Sequence, residues 1–438
     1  MIKFKPAVIV ICLAAHIAAA ETIATATQSL APLQVQTTNP SFLFKANEDI
    51  LLSHTMATKN ISAATVELSV EIKTTDGQWI ESKRQEIALD PASSEIAMPY
   101  RVETKLNPGF YEVLVRVFDG ERLVTELRYG FGFSAENIKP KTRRPKDFDV
   151  FWKSTTEELE VIAPRYTIDS DPTNSDGKTS CFKVSYFSLR QNLIHGWYCH
   201  PNRGGNFPGL LINPWYGEKE VRAPKYIAEL GYAVLAYQAR GFEVNQSSYP
   251  RENSSYMTLG IENPKTYVFR DIIAHAIRGI DFLYAQSEVD KKRIGTAGPS
   301  QGGGLSLILA GLDYRVTAAA ADFPFLSCFE LALPQADYPY KEIEDYLREN
   351  PDKRDATMET LSYFDALNFA NKIQVPVLIN MGLLDHICPP ASVIATYNSI
   401  RGSKKLKTYP TATHNDQNSL RWWNAIGFLN ENLSPQTP

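Results

Sequence analysis

Long apolar runs are missing from this 438-residue chain once its first twenty residues are passed. Nothing later approaches the ~18 uninterrupted apolar residues that a membrane-crossing helix needs, so no membrane partner is expected of the mature chain. Long runs of one charge sign are missing too. The 45 basic and 49 acidic residues leave a formal net charge of −4, without the basic stripe that would mark a nucleic-acid partner. A neutral or small ligand is the expectation. A hydrophobic content of 44% with 21% charged residues is that of an ordinary globular protein, which makes disorder a poor fit.

The first twenty residues form a segment of their own. Lys3 and Lys5 give a positive start, the run from Ala7 to Ile17 is mostly apolar, and Ala18-Ala19-Ala20 offers a small-residue cleavage site. Residues 1–20 are therefore expected to be a signal peptide, with a periplasmic or secreted mature protein. Cys12 does not make this a lipoprotein signal, because Ile11 stands where such signals carry a small residue. Cleavage would leave four cysteines, Cys181, Cys199, Cys328 and Cys388, in a compartment that permits disulfides. Two alternating stretches, Cys181–Leu189 and Leu193–His200, read as a hairpin turning near Arg190, which places Cys181 opposite Cys199. A cross-strand disulfide and a pair of buried thiols both fit that register.

The length exceeds the ~100–200 residues typical of one domain, so two are expected. Between Ser41 and Phe133, short alternating stretches such as Val66–Lys73, Gln85–Leu89 and Tyr111–Phe118 are separated by Asp76-Gly77, Asn107-Pro108-Gly109 and Asp119-Gly120. That pattern predicts a small all-β sandwich over 21–135. Residues 136–146, with Lys139-Pro140-Lys141 and Arg143-Arg144-Pro145, read as a solvated linker to a second domain, 147–438. There, buried-strand patterns at Pro208–Asn213 and Tyr232–Gln238 alternate with helical ones at Arg222–Leu230 and Thr266–Tyr284. The class is α/β with a mainly parallel sheet. On the helix 266–284, Asp271, His275 and Arg278 fall opposite the apolar stripe, predicting a solvated face.

Chemistry enters at Gly298-Pro299-Ser300-Gln301-Gly302, a G-x-S-x-G between the strand-like Ile294–Gly298 and the helix-like Leu305–Leu312. A serine on a sharp strand-to-helix turn, with glycine two residues to either side, is the nucleophile arrangement of the α/β-hydrolase fold. In that fold the acid and the histidine follow the serine in the chain, and only His386 and His414 lie beyond Ser300. His414 follows the strand-like Leu406–Tyr409, whereas His386 adjoins the best acid candidate, Asp385, and so reads as a rim residue. Asp385 ends the proline-led strand Val375–Leu384, where a triad acid belongs; Asp416 is its competitor, handicapped by closeness to His414 in sequence. The amide of Gln301 is one candidate oxyanion donor, and Asn213-Pro214-Trp215-Tyr216-Gly217 is the loop that would supply a second. Trp215 and Tyr216 are also candidates for the wall of the substrate pocket. No metal ligands and no cofactor are assigned.

Several motifs together resemble carbohydrate esterase family 7, the acetyl xylan esterases that also deacetylate cephalosporin C. They are Gly298-Pro299-Ser300-Gln301-Gly302-Gly303-Gly304, Asp322-Phe323-Pro324-Phe325-Leu326, Leu361-Ser362-Tyr363-Phe364-Asp365, and Gly382-Leu383-Leu384-Asp385 with Pro389-Pro390. The likeness runs from about Pro145 to Leu433 and includes Asp147-Phe148-Asp149-Val150-Phe151-Trp152. It implies Ser300 as nucleophile, Asp385 and His414 as its partners, and the amides of Gln301 and Tyr216 as the oxyanion hole. Acetylated oligo- or polysaccharide is the implied substrate. Two segments depart from the family pattern: Arg240-Gly241 leads into Phe242-Glu243 rather than Gln-Gly, and Pro214-Trp215-Tyr216 replaces His-Gly-Tyr. The family's hexameric rings consist of bare catalytic domains, so homo-oligomerisation of this longer chain stays open. A serine peptidase of the same fold and a non-catalytic carbohydrate-binding protein are the alternative readings.

Overall fold

The computed structural model describes residues 33–435 apart from 60, 142–143, 219, 241–254 and 417–418. The expected signal peptide, Arg143 of the linker and the Gly241-Phe242-Glu243 segment lie outside the described residues. Alternating side chains build eight strands in the N-terminal region: β1 (Gln34–Thr37), β2 (Leu43–Phe44), β3 (Leu51–Ala57), β4 (Thr65–Thr74), β5 (Trp79–Ala88), β6 (Glu95–Arg101), β7 (Gly109–Asp119) and β8 (Arg122–Phe133). They form one sheet in the order β1-β3-β6 and another in the order β2-β8-β7-β4-β5. Val66, Leu68, Val70 and Ile72 of β4 and Val113, Val115 and Val117 of β7 are all buried, as the period of two requires. His54 of β3 reaches from one sheet to the other, its Nε2 2.8 Å from the Tyr129 hydroxyl of β8. Burial lowers its pKa to about 4.

The remaining strands are β9 (Thr167–Ser170), β10 (Thr179–Phe187), β11 (Leu193–Pro201), β12 (Phe207–Ile212), β13 (Ala233–Tyr237), β14 (Val289–Pro299), β15 (Val316–Asp322), β16 (Val377–Gly382) and β17 (Lys404–Tyr409). They make one nine-stranded sheet, β17-β16-β15-β14-β12-β13-β11-β10-β9. Pairing is parallel from β13 through β17 and antiparallel among β13, β11, β10 and β9. Cys181 lies directly opposite Cys199 on β10 and β11, and the two are joined in a disulfide. Both faces of the parallel part are covered, which is why its strands read as continuous apolar runs. Leu211 and Leu235 pack on the side of the helices Val268–Ala285 and Gln301–Leu312, whereas Leu210 and Val234 pack against Ala425, Ile426 and Leu429 of the helix Leu420–Leu433.

Two expectations need correcting. The helix expected over Arg222–Leu230 shrinks to Lys225–Ala228, since Pro224 cannot continue a helix on its N-terminal side and takes the capping position. The polar face of Val268–Ala285 is not solvated: His275 is 3% exposed and Arg278 is 4% exposed. The helix Phe148–Glu160 covers that face, with Arg278 donating to the carbonyls of Leu159 and Ile162 and Arg270 to the Thr155 hydroxyl. The His275 Nδ1 lies 2.9 Å from the Ser188 hydroxyl, and burial lowers the ring's pKa to about 3.

His275 is neutral in the fold and regains a pKa of ~6.5 on unfolding, so the unfolded chain binds the extra proton below that pH. Stability supplied by the depressed pKa is present above about pH 6.5 and is lost as the pH falls. The His275→Gln variant should therefore lose less melting temperature than the parent between about pH 7 and about pH 5. Equal losses measured by calorimetry would contradict this account.

Candidate active site

Strand β14 delivers Ser300 at its C-terminal end, and the helix Gln301–Leu312 begins at the next residue, four earlier than the sequence pattern suggests. Ser300 has φ 53° and ψ −118°, a conformation costly for any side-chain-bearing residue and retained only where its surroundings enforce it. Those surroundings are visible. The Ser300 amide donates to the Asp322 carbonyl at 2.8 Å, and the Phe325 amide donates to the Ser300 carbonyl at 2.9 Å. A Cβ on Gly298 would sit 2.5 Å from the Asn213 carbonyl oxygen, and one on Gly302 only 2.2 Å from it. The two flanking glycines thus let the 213–217 loop press directly against the turn.

The two outermost strands on that side of the sheet, β16 and β17, lead into the other polar groups. Beyond β16, Asp385 is 2% exposed; its Oδ1 accepts the amides of Ile387 at 2.9 Å and Cys388 at 2.7 Å. Its Oδ2 lies 2.8 Å from Nδ1 of His414, which follows β17. The His414 Nε2 lies 3.1 Å from the Ser300 hydroxyl. An ionised carboxylate only accepts, so Nδ1 carries the proton, and Nε2 presents its lone pair to the serine hydroxyl. The structure thus joins the three residues in one hydrogen-bonded chain. Asp416 is not part of it; its main-chain carbonyl accepts from Arg421. His386 takes no part in it; its Nε2 lies 3.1 Å from the Glu112 carboxylate, and its side chain keeps 42% exposure as a rim residue should.

Buried groups surround this chain. Desolvation raises the Asp322 pKa against the opposing pull of Arg421 and the hydrogen bond from Asn380. Cys388 packs against Ser300, and burial pushes its thiol well above the ordinary range. Among the described residues, Asp385, Cys388 and His414 are the one set of His, Cys and carboxylate donors close enough to share an ion, all within 4.8 Å. The aspartate and histidine already bind each other, and a protonated thiol is a poor ligand.

The acetyl xylan esterase (AXE1) family matches residues 134–432 of the chain. The chain belongs to that family. It is 30% identical over 326 residues to the acetyl esterase Axe7A of Xylanibacter ruminicola, covering 71% of this chain and 72% of that protein. Its fold is similar to that of an acetyl xylan esterase from Paenibacillus sp. R4, with TM-score 0.62 and 30% identity over 68% of this chain and 98% of that one. It is likewise similar to acetyl xylan esterase 1 from Thermoanaerobacterium sp. JW/SL YS485, with TM-score 0.61 and 27% identity over 68% and 97% of the two chains. Family membership makes the chain a serine hydrolase acting on ester bonds.

Within this esterase the 213–217 loop is fastened by groups that sequence reading does not single out. Asn213 is buried and donates to the hydroxyls of Thr296 and Ser306, while Tyr237 donates to its Oδ1. The Tyr216 hydroxyl is held against the Glu342 carboxylate at 3.0 Å and accepts the Tyr256 amide at 2.7 Å. The Tyr256 hydroxyl donates to Gln301 Oε1 at 2.9 Å and accepts the Gly217 amide at 3.3 Å, bridging both segments that would carry oxyanion donors. Gln301 is the first residue of its helix, so its amide has no acceptor within the helix. Trp215 stays 47% exposed at the mouth of a cavity of about 690 Å³ lined also by Glu218, Arg222 and Tyr226. Burial there raises the Glu218 carboxyl to about 8.

Replacing Tyr256 with phenylalanine removes the bridge and leaves the ring. The kcat for an acetate ester should fall about tenfold, in line with partial loss of an aligned oxyanion donor. A variant with the parent's kcat would show that Tyr256 does not align this site.

Proposed function

We propose that the chain removes acetyl groups from acetylated carbohydrate by a serine esterase mechanism. The observation that carries this reading is the Asp385–His414–Ser300 hydrogen-bonded chain at the strand ends of an acetyl xylan esterase family member. His414 takes the Ser300 proton as the hydroxyl oxygen attacks the acetyl carbonyl, and Asp385 stabilises the imidazolium that forms. The amides of Gln301 and Tyr216 hold the developing oxyanion. His414 then returns the proton to the departing sugar hydroxyl, leaving an acetyl group on Ser300. Water, deprotonated by the same imidazole, releases acetate and restores the serine.

Trp215, half exposed beside Tyr216, forms part of the wall against which the sugar lies. Its place in Pro214-Trp215-Tyr216, where the family pattern has His-Gly, makes the choice among acetylated sugars a property of this chain. The peptidase and non-catalytic alternatives are not favoured, because the family match spans the whole triad. We further propose export to the periplasm or the cell exterior, a reading supported by the 1–20 segment and by the Cys181–Cys199 disulfide.

The test is hydrolysis of activated esters of increasing acyl length, followed by product analysis on acetylated polysaccharides, oligosaccharides and cephalosporin C. Ser300→Ala should abolish turnover, and the parent should hydrolyse acetate well ahead of butyrate. Turnover by the alanine variant would overturn the nucleophile, and a preference for longer acyl groups would overturn the deacetylase assignment.

A further inference from the structure

We infer that the N-terminal β region is a positioning element for the catalytic loops, acting through one cross-strand pair, Glu112 and Gly130. The inference rests on the assignment of Asp385 and His414 as the partners of Ser300. These two residues stand opposite each other on β7 and β8. Glu112, with 17% side-chain exposure, sets its carboxylate 3.1 Å from Nε2 of His386, the residue immediately after Asp385. Gly130 touches both loops. Its amide donates at 2.8 Å to the carbonyl of Pro410, which lies in the loop leading to His414, and a Cβ on it would stand 2.5 Å from the carbonyl oxygen of Leu383.

Topology explains why these loops need such support. Strand β17 is the edge of the nine-stranded sheet, so among the described residues no further strand of that sheet flanks the His414 loop on its outer side. The N-terminal region fills that place. Thr408 of β17 donates its hydroxyl to the Ser41 carbonyl at 2.6 Å, and the Pro410 contact extends the seam toward His414. The acid loop is held from a second direction as well: the Asp337 amide donates to the His386 carbonyl at 2.7 Å, and nearby Gln335 accepts the Thr75 hydroxyl from the turn between β4 and β5. Two of the three triad residues thus sit on loops braced by the same face of a region outside the α/β sheet. Glu112 and Gly130 touch no reacting atom. They act through His386, Leu383 and Pro410.

The experiment compares kcat, KM and melting temperature of the full-length parent with Glu112→Gln, Glu112→Ala, His386→Ala and the Glu112→Ala/His386→Ala double variant on an activated acetate ester. A small misplacement of the acid loop is expected to lower kcat about tenfold in Glu112→Ala, with KM held within about twofold. Glu112→Gln, which keeps the side-chain length and an oxygen facing His386, should retain more of the parent kcat. The double variant should lose no more than the worse single one, because both break one contact. Gly130→Ala, which must displace the Leu383 carbonyl, should lower kcat by a comparable factor. A Glu112→Ala enzyme with the parent's kcat, or additive losses in the double variant, would overturn the inference. Ser300→Ala measured alongside separates the two readings: if it is inactive while Glu112→Ala is fully active, only the positioning role fails.

Discussion

The carbonyl of Asn213 points into the space where Cβ atoms would stand on Gly298 and Gly302, and the rest of the site is arranged around that approach. It presses the 213–217 loop against the turn that holds Ser300 at φ 53°. Neither side can move alone. Asn213 is pinned by Thr296, Ser306 and Tyr237, and the turn is pinned by the main-chain bonds of Ser300 to Asp322 and Phe325. Strain at a nucleophile persists only where packing enforces it, and here the enforcing groups also aim the two amides proposed to receive the oxyanion.

From that fixed serine the remaining geometry follows strand by strand. The parallel sheet places β15, β16 and β17 in sequence beyond β14, so the main chain of Asp322, the carboxylate of Asp385 and the ring of His414 converge on one edge. Both Asp385 oxygens are engaged, one by two amides and one by the imidazole, which leaves the carboxylate a single orientation. Catalytic groups that do not reorganise during reaction are the ones that stabilise a transition state most. The outer two loops lie at the rim of the sheet, where the N-terminal strands are packed against them.

Much of this is legible in the sequence. Period-two alternation marks β4 and β7, the symmetric spacing of Cys181 and Cys199 about Arg190 gives their register, and chain order narrows six histidines outside the signal segment to His386 and His414, of which His386 adjoins the acid candidate Asp385. What escaped was set by tertiary packing. Helical periodicity put His275 opposite an apolar stripe, but it carries no information on whether a second layer covers the polar side, and the helix Phe148–Glu160 does so. The run Gly302-Gly303-Gly304 hid the true start of its helix, since glycine is a poor helix former and is present there for close approach. Tyr256 and Glu112 carry no motif at all; each meets the site from a distant stretch of chain.

The central claim is that the acetyl group passes through Ser300, and the most direct measurement is to trap it there. An acetate ester should be mixed with the enzyme, the reaction quenched in acid within the first turnover, and the digested protein weighed peptide by peptide. The account requires a mass gain of one acetyl group on the peptide containing Ser300, absent from Ser300→Ala. Acetate release with no acyl group on that peptide, or with the label on another residue, would contradict it.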